Sequence, residues 1–396
     1  MANLPEIPAY ERDPHLTQLD TEVVAAGEEG GRPFVVLADT VLYPEGGGQP
    51  ADRGTVGWAA VVDVRKVGGD IRHFLAGPAP SGQVRIELDW GRRFDHMQQH
   101  TGQHLLTAVA EQRFAWHTTA FHLGERLSDI ELDTPGIRLE ELAELEDAVA
   151  AEIRAARRVT SRHVSPEEYA RLPVRTRGLP EGHAGSVRLV EIDGIDLNTC
   201  GGTHLRSTAE IEALKLLGTE PMRGGTRLFY AAGARVRRLY AVHHERNAEL
   251  RRLLCTSDDE LTSGLEAKLE QLKEAQHAVR DLEEELATVS AQVLAAGQDR
   301  VLSAHWPRRE LQFLQRVARE VARLAPDRVV FLTSGEGEEG VFLVAAGDRA
   351  AIDVPETGRR VAELLGGRGG GSGRVFQGKA TRLSRREEAA ALLQPR

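Results

Sequence analysis

Residues 96–114, HMQQHTGQHLLTAVAEQRF, mark the point at which the chain changes from short β-type runs to a helix. Leu105, Val109 and Phe114 fall near one stripe, and the segment has no internal proline. His96, His100 and His104 are spaced four residues apart, so they lie along one side of such a helix. We therefore expect a long helix that carries a row of imidazoles.

The segment before this helix favours β-structure. Residues 1–90 contain short apolar runs broken by turn residues, which predicts a small antiparallel barrel or sandwich. Gly46, Gly47 and Gly48, followed by Gln49, lie between the second and third runs. Taken alone, this glycine loop indicates a sharp structural turn.

Helices and strands are mixed in the rest of the chain. A second helix is predicted over 138–158, and alternating runs continue to residue 233. Residues 257–294 carry a heptad seam, which predicts a long helix that folds back on a helix at 234–254 or pairs in a dimer. The seam consists of Leu272, Ala275, Val279, Leu282, Leu286, Val289 and Val293.

The predicted fold class is α+β, in four parts. They are a small N-terminal β-barrel over 1–90, a metal-binding α+β domain over 91–233, a helical coiled-coil arm over 234–300 and an α/β domain over 301–396.

Composition limits the possible functions. The formal net charge of −10 excludes a chain that binds nucleic acid by being basic throughout, so any contact with RNA must use local patches. Residues 301–396 carry 16 Lys+Arg against 12 Asp+Glu and are the basic part. The apolar runs are too short to span a membrane, and the N-terminus lacks a basic start followed by an apolar stretch, so we expect no secretory signal. Because Cys200 and Cys255 make a disulfide framework improbable, we expect a cytoplasmic protein.

Two short motifs supply metal ligands. Two imidazoles at i and i+4 can converge on one ion, whereas three on a straight helix fan over too wide an arc for one tetrahedral site. Cys200 and His204, in the sequence CGGTH, add a thiolate and another imidazole. Three nitrogens and one thiolate suit Zn²⁺. A metalloprotease is disfavoured because the glutamate of HExxH is absent.

Together, these motifs resemble the editing domain of alanyl-tRNA synthetases and, more closely, the free-standing alanyl-tRNA editing proteins of the AlaX family. The C-terminal glycine cluster 366–371, with Gln377 and Gly378, resembles the DHHA1 domain that ends those synthetases. The similarity covers nearly the whole chain, which points to the long form of AlaX. The other segments that carry it are Tyr43–Gln49 with Asp52 and Gly54, His100–Leu106, Cys200–His204 with Thr208–Ile211, and Gly225–Tyr230.

The resemblance implies particular site residues. It makes His100, His104, Cys200 and His204 the ligands of one zinc ion and leaves His96 outside the ligand set. It also makes the loop Gly46–Gln49 a candidate substrate-facing segment. The chain has no room before the barrel for the class II domain that activates alanine, so we expect no aminoacylation.

The expected activity is hydrolysis in trans of seryl-tRNA(Ala), with glycyl-tRNA(Ala) as a further substrate. A pocket shaped for alanine discriminates against glycine or serine by only about 1 to 3 kcal/mol, so a second site must remove the error. Thr118 and Thr119 are the candidates for the polar contact with the serine hydroxyl, and with Gln49 they are the candidates for a catalytic role. The zinc could activate water, hold the substrate or stabilise the fold.

The C-terminal domain is expected to bind tRNA, and the arm or this domain is a candidate homodimer interface. A non-catalytic tRNA-binding protein with a structural zinc, or an editor of another mischarged tRNA, remain as alternatives. The expected phosphate contacts are Arg368, Arg374, Lys379, Arg382, Arg385 and Arg386.

Overall fold

The computed structural model describes residues 7–175 and 185–394. The chain divides into two compact units, Met1–Ala248 and Glu249–Arg396. The boundary falls inside one helix rather than between two of the four predicted parts. The α+β class is confirmed.

The first unit begins with a short helix and six strands that form a closed barrel in the order β1-β2-β5-β4-β3-β6. Gly30 and Gly31 have positive φ and make the tight turn between the first two strands, a conformation that glycine adopts without steric cost. Apolar side chains fill the interior of the barrel. The elements are α1 (Ala9–Arg12), β1 (Gln18–Glu29), β2 (Arg32–Leu37), β3 (Gly54–Val56), β4 (Ala59–Val67), β5 (Asp70–Leu75) and β6 (Gln83–Leu88).

Helix α2 (Trp90–Phe114) follows the barrel and is the central element of the first unit. Asp89 caps its N-terminus by accepting a hydrogen bond from the backbone N–H of Arg92, and Ala115 ends it in the left-handed conformation. Near the N-terminus of α2, Arg93 donates a hydrogen bond to Asp52, which lies between strands β2 and β3 of the barrel. Both side chains are fully buried. The barrel and the helix therefore share a buried ion pair.

The remainder of the first unit packs two small sheets against α2. One sheet has the order β11-β10-β9 and the other β12-β13-β8-β7. The sheet β11-β10-β9 leads into the CGGTH motif, because Cys200 directly follows its edge strand. The elements are β7 (Thr118–Leu123), β8 (Ser128–Leu132), α3 (Leu139–Arg154), β9 (Val159–Val164), α4 (Pro166–Tyr169), β10 (Val187–Ile192), β11 (Asp196–Thr199), β12 (Leu214–Met222) and β13 (Gly225–Ala232).

The second unit is a five-stranded sheet with helices on both faces, in the order β14-β15-β16-β18-β17. One apolar core lies between α7 and the sheet, and another includes residues of α8 and the opposite face. Helix α5 spans the boundary between the units. The elements are α5 (Ala234–Leu254), α6 (Leu261–Ala295), β14 (Val301–Trp306), α7 (Leu311–Leu324), β15 (Val329–Ser334), β16 (Gly340–Ala346), α8 (Val354–Leu364), β17 (Arg368–Ser372), β18 (Val375–Ala380) and α9 (Arg386–Ala391).

Helix α6 occupies the heptad segment and leaves most of its seam exposed. The helix buries Ala287 and Ala291 in the core of the second unit, to which it belongs, whereas Leu282 is 64% and Val293 70% exposed. Among the helices of the described residues, none is both long and apolar enough to cross a lipid bilayer.

The glycine cluster 366–371 is largely an edge strand rather than a loop. Strand β17 pairs with β18, and a Cβ at Gly371 would lie 2.1 Å from the carbonyl oxygen of Val375. The glycines there therefore permit close pairing of two strands.

Candidate metal centre and adjoining cavity

Four side chains converge beside α2. Helix α2 supplies His100 and His104, and the segment after β11 supplies Cys200 and His204; their ligand atoms all lie within 4.8 Å of one another. The Sγ atom of Cys200 is 3.3 Å from Nε2 of His100 and 3.3 Å from Nε2 of His204. A tetrahedral Zn²⁺ with usual bond lengths would require about 3.6 Å between sulfur and nitrogen. The donor set and its spacing therefore fit one zinc ion.

The three histidines are oriented by partners on their other ring nitrogen. Nδ1 of His100 lies 2.9 Å from Oε1 of Gln49, and Nδ1 of His204 lies 3.2 Å from Oγ1 of Thr101. Nδ1 of His104 lies 3.1 Å from a carboxylate oxygen of Asp196. Such partners fix the tautomer and aim Nε2 at the metal. These three contacts therefore favour a metal site independently of the spacing of the four donors.

The loop that carries Cys200 is shaped by a buried arginine and a glycine. Arg188 donates to the carbonyl oxygens of Cys200 at 2.7 Å and Gly202 at 2.8 Å. A Cβ on Gly202 would lie 2.2 Å from Cε1 of His100, so any larger residue would displace this candidate ligand. These contacts explain why glycine stands next to the ligands.

Gln49 connects the barrel to this loop. Its side chain is fully buried, its Oε1 accepts from the backbone N–H of Thr203 at 3.0 Å, and its Nε2 donates to Oγ1 of Thr203 at 2.8 Å. Both ends of the amide are therefore used within the protein. This position suits a residue that holds His100 and the loop of residues 200–204 together.

Electrostatics favour the ligating form of two donors. Burial acts to raise the pKa of the Cys200 thiol, but His100 and His204 outweigh it and hold the pKa well below its usual value. Burial lowers the pKa of His204 to about 3, so this imidazole is neutral. Burial also favours neutral His104, but its hydrogen bonds to Asp196 and Cys200 raise its pKa to about 9. A metal would therefore displace a proton from His104.

A cavity of about 470 Å³ adjoins the four donors. Its size lies in the range that small-molecule sites usually have. His104 and Cys200 form part of its wall, so a bound molecule would contact the metal centre directly. Other lining residues include Gly47, Gln103, Thr118, Phe121, Arg175 and Asn198.

The predicted threonines separate in the structure. Thr118 lines the cavity, and its hydroxyl donates to Oγ1 of Thr107 at 3.1 Å. Thr119 is exposed and donates to the carbonyl oxygen of Glu131 at 3.3 Å. Its hydroxyl is therefore directed at the neighbouring strand rather than at the cavity.

The glycines of the loop also take different positions. Gly47 lines the cavity, with φ of +56°. A Cβ on Gly48 would lie 2.7 Å from the ring of Phe121, which is itself a wall residue. The carbonyl oxygen of Gly46 accepts from the Tyr43 hydroxyl at 2.7 Å, which holds the turn. Of these three glycines, Gly47 has the position best suited to substrate contact.

The predicted C-terminal cations fall into two groups. Arg368 and Lys379 are paired residues of β17 and β18 and are exposed, as is Arg382. Arg374 donates to the carbonyl oxygens of Gly347 and Ala350. Arg385 pairs with Glu388, and Arg386 begins α9. The exposed group is free of such anchoring in the described part of the chain.

Several site residues escaped the sequence reasoning. Asp196, Arg188 and Gln103 act through contacts in the folded chain, and Arg175 forms two hydrogen bonds to Asp196, each of 2.9 Å. The carboxylate of Asp196 therefore joins a ligand to an arginine of the cavity wall. One available signal was the position of Asp196, four residues before Cys200.

Comparison with known families assigns residues 187–240 to the threonyl and alanyl tRNA synthetase second additional domain. This stretch contains Cys200 and His204. The CxxxH motif, which supplies two of the four donors, therefore lies in the part of the chain that matches this synthetase domain. Fold and site together place the chain in the class of proteins that carry this domain.

Relatives that match this chain over most of their own length identify its family more closely. The alanyl-tRNA editing protein Aarsd1 of Danio rerio is 40% identical over 367 residues, which cover 91% of this chain and 88% of that protein. Aarsd1-B of Xenopus laevis is 36% identical, with 97% and 96% covered. The alanine–tRNA ligase of Pyrococcus abyssi is 29% identical over 96% of this chain and 42% of the ligase. The chain belongs to the alanyl-tRNA editing protein family, which confirms the resemblance found in its motifs.

Proposed function

We propose that this protein hydrolyses the ester bond of seryl-tRNA(Ala) in trans, accepts glycyl-tRNA(Ala) as a further substrate, and forms no aminoacyl bond itself. The observation that carries the proposal is the opening of the four-donor cluster onto the cavity, through His104 and Cys200. The names of the relatives support the same reaction class. A second site of this kind is needed because a pocket for alanine rejects serine and glycine by only about 1 to 3 kcal/mol.

His100, His104, Cys200 and His204 would hold the zinc ion. When bound, zinc supplies a positive centre that can polarise a carbonyl or a water molecule. Gln49, Thr101 and Asp196 orient the three imidazoles. Gly47 and Thr118 contact the aminoacyl group from the cavity wall. In this proposal Gln49 acts through His100 rather than on the substrate.

The second unit would position the tRNA. Exposed Arg368, Lys379 and Arg382 offer three cations near one edge of the sheet, and phosphate contacts of this kind fix the register of a nucleic acid without reading its sequence. Arg374, Arg385 and Arg386 are included in this proposal as further phosphate contacts. We further propose a cytoplasmic location and a homodimer that forms through the α6 seam.

A deacylation panel tests the activity. The purified chain should release serine from seryl-tRNA(Ala), and glycine from glycyl-tRNA(Ala), much faster than alanine from alanyl-tRNA(Ala). Cys200→Ala should abolish release and lower the zinc content, whereas Cys255→Ala, which removes the exposed cysteine, should change neither. Zinc and tRNA binding without turnover would identify a non-catalytic factor. Preferential hydrolysis of seryl-tRNA(Thr) would identify an editor of another system.

Salt dependence tests the tRNA contacts. Replacing Arg368, Lys379 and Arg382 together by alanine should weaken tRNA(Ala) binding and make it less sensitive to salt, because fewer counterions are released. Arg323→Ala, which removes a cation paired with Glu320 on α7, is the matched control. An unchanged affinity and salt slope in the triple variant would reject the assignment.

A further inference from the structure

Helix α2 carries three buried glutamines whose amides are used differently. Gln99 donates to the carbonyl oxygen of Ala232 at 3.0 Å and accepts from its N–H at 2.9 Å. Gln98 donates to the carbonyl oxygen of Glu210 at 2.9 Å and accepts from the N–H of Ala234 at 3.2 Å. Both ends of these two amides are therefore satisfied within the protein, and their role is structural.

Gln103 differs because half of its amide is unused. It is 4% exposed, and its Nε2 donates to Oγ1 of Thr107 at 2.9 Å. Its Oε1 is buried and has no hydrogen-bond partner within residues 7–175 and 185–394. A buried acceptor without a partner costs folding free energy, so native proteins rarely keep one without a use.

The position of Gln103 indicates that use. It precedes the ligand His104 on α2 and lines the cavity together with Cys200 and Thr118. Thr107 is fully buried and accepts from both the Gln103 amide and the Thr118 hydroxyl. Because the Nε2 end of the amide is used by Thr107, the Oε1 end is the one without a partner, and it belongs to a residue of the cavity wall next to His104.

We propose that Oε1 of Gln103 accepts a hydrogen bond from the side-chain hydroxyl of the seryl group, and that Gln103 thereby sets the preference for seryl over alanyl esters. The inference rests on the proposed function. A seryl ester brings a hydroxyl donor that alanyl and glycyl esters lack, whereas the amino group is common to all three. Only a contact with the hydroxyl leaves the acceptor unpaired when alanine is bound. Thr118, besides its place in the cavity wall, holds Thr107 and the amide in place.

Substituting Gln103 by methionine tests this assignment. Gln103→Met keeps the length of the side chain and removes the acceptor. It should reduce kcat/KM for seryl-tRNA(Ala) by about 10- to 100-fold, the usual effect of one lost buried hydrogen bond, and change glycyl-tRNA(Ala) by less than about threefold. Gln83→Met, the same change at an exposed position of β6, should leave both rates as they are. Zinc content and thermal unfolding show whether the centre and the fold are intact.

The outcomes separate the two hypotheses. Parallel loss of seryl and glycyl hydrolysis, or no loss of either, would overturn the role of Gln103 while leaving the editing proposal standing. Failure of the unaltered protein to hydrolyse either ester would overturn the editing proposal and this inference with it.

A second measurement needs no substitution and covers the case in which Gln103→Met does not fold. 3-Fluoroalanyl-tRNA(Ala) has nearly the shape of the seryl ester, but its fluorine cannot donate a hydrogen bond. The unaltered protein should hydrolyse it about 10- to 100-fold more slowly than seryl-tRNA(Ala). Equal rates for the two esters would overturn the inference.

Discussion

Helices α2 and α6 are both long, but of the two only α2 buries polar side chains together with apolar ones. Helix α2 buries 16 residues, among them three histidines and three glutamines, whereas α6 buries two alanines and exposes leucines and valines. The polar side chains of α2 tolerate burial because nearly all of them have hydrogen-bond or ionic partners. The apolar seam of α6 has no such cover in the described part of the second unit. Burial therefore follows the partners that the fold provides, not the polarity of the helix.

The strongest way to break this contrast is to remove a partner from α2. Arg93→Met should lower the free energy of unfolding of the first unit by about 3 to 5 kcal/mol, because it leaves the carboxylate of Asp52 buried and unpaired. Chemical denaturation of the full chain measures it. Arg92→Met, the change at the adjacent, partly buried arginine, is the comparison, and an equal loss in both variants would contradict the role of the ion pair.

A smaller effect is expected from an orienting partner of a ligand. Asp196→Asn keeps the size of the side chain but removes the charge that holds His104 and Arg175. Zinc affinity should fall by about 10- to 100-fold, as is typical when such a partner is lost. Competition with a fluorescent chelator measures the affinity. Asp193→Asn, an exposed aspartate before the same strand, should leave it unchanged.

Acid should expose the cost of burying a polar group in the barrel. His73 is fully buried between Oγ1 of Thr40 and the carbonyl oxygen of Val35, and burial lowers its pKa to about 4. The unfolded state binds a proton near pH 6.5, so this group destabilises the folded state as the pH falls from there towards 4. Unfolding free energy should fall by about 1.5 kcal/mol more in the unaltered protein than in His73→Gln between pH 6.5 and 5.

Parallel curves for the two proteins would show that His73 is not held neutral. Because both proteins keep the other titrating groups, including the metal ligands, the difference between them isolates His73.

The smallest effect on stability is expected on α6. In the monomer, Leu282→Glu should change the unfolding free energy of the second unit by less than about 0.5 kcal/mol, because the side chain is exposed in the single chain. The same change should convert a dimer to a monomer in sedimentation, because a charge at the seam opposes pairing. Lys273→Gln, away from the seam, is the control. An unchanged mass would remove the seam as an interface.

Local patterns predicted more than contacts between distant segments. The helix around His100 and the heptad helix follow from periodicity within the segment itself. The two short spacings indicate a metal site, and the family resemblance selects His100 and His104 from the three histidines of the row. Asp196 was not found because it meets His104 across 92 positions of the chain. Gln49 was expected to face the substrate, whereas its side chain is buried and hydrogen-bonded to Thr203. A single sequence does not distinguish a polar residue that faces a substrate from one that connects two buried segments.

The glycine cluster teaches a similar lesson. Glycines permit a loop to approach a phosphate and also permit two strands to pair closely, and composition does not distinguish the two. Most of this cluster lies in a strand because it pairs with residues 375–380, which the composition of the cluster itself does not indicate.

The buried amide of Gln49 connects segments of the chain that the ribosome synthesises at different times. It joins His100, 51 positions away, to Thr203, 154 positions away. Because contacts across such separations form late, the ligand set cannot be complete until the ribosome has released the segment beyond His204. A nascent or truncated chain that ends before His204 therefore lacks the assembled four-donor cluster.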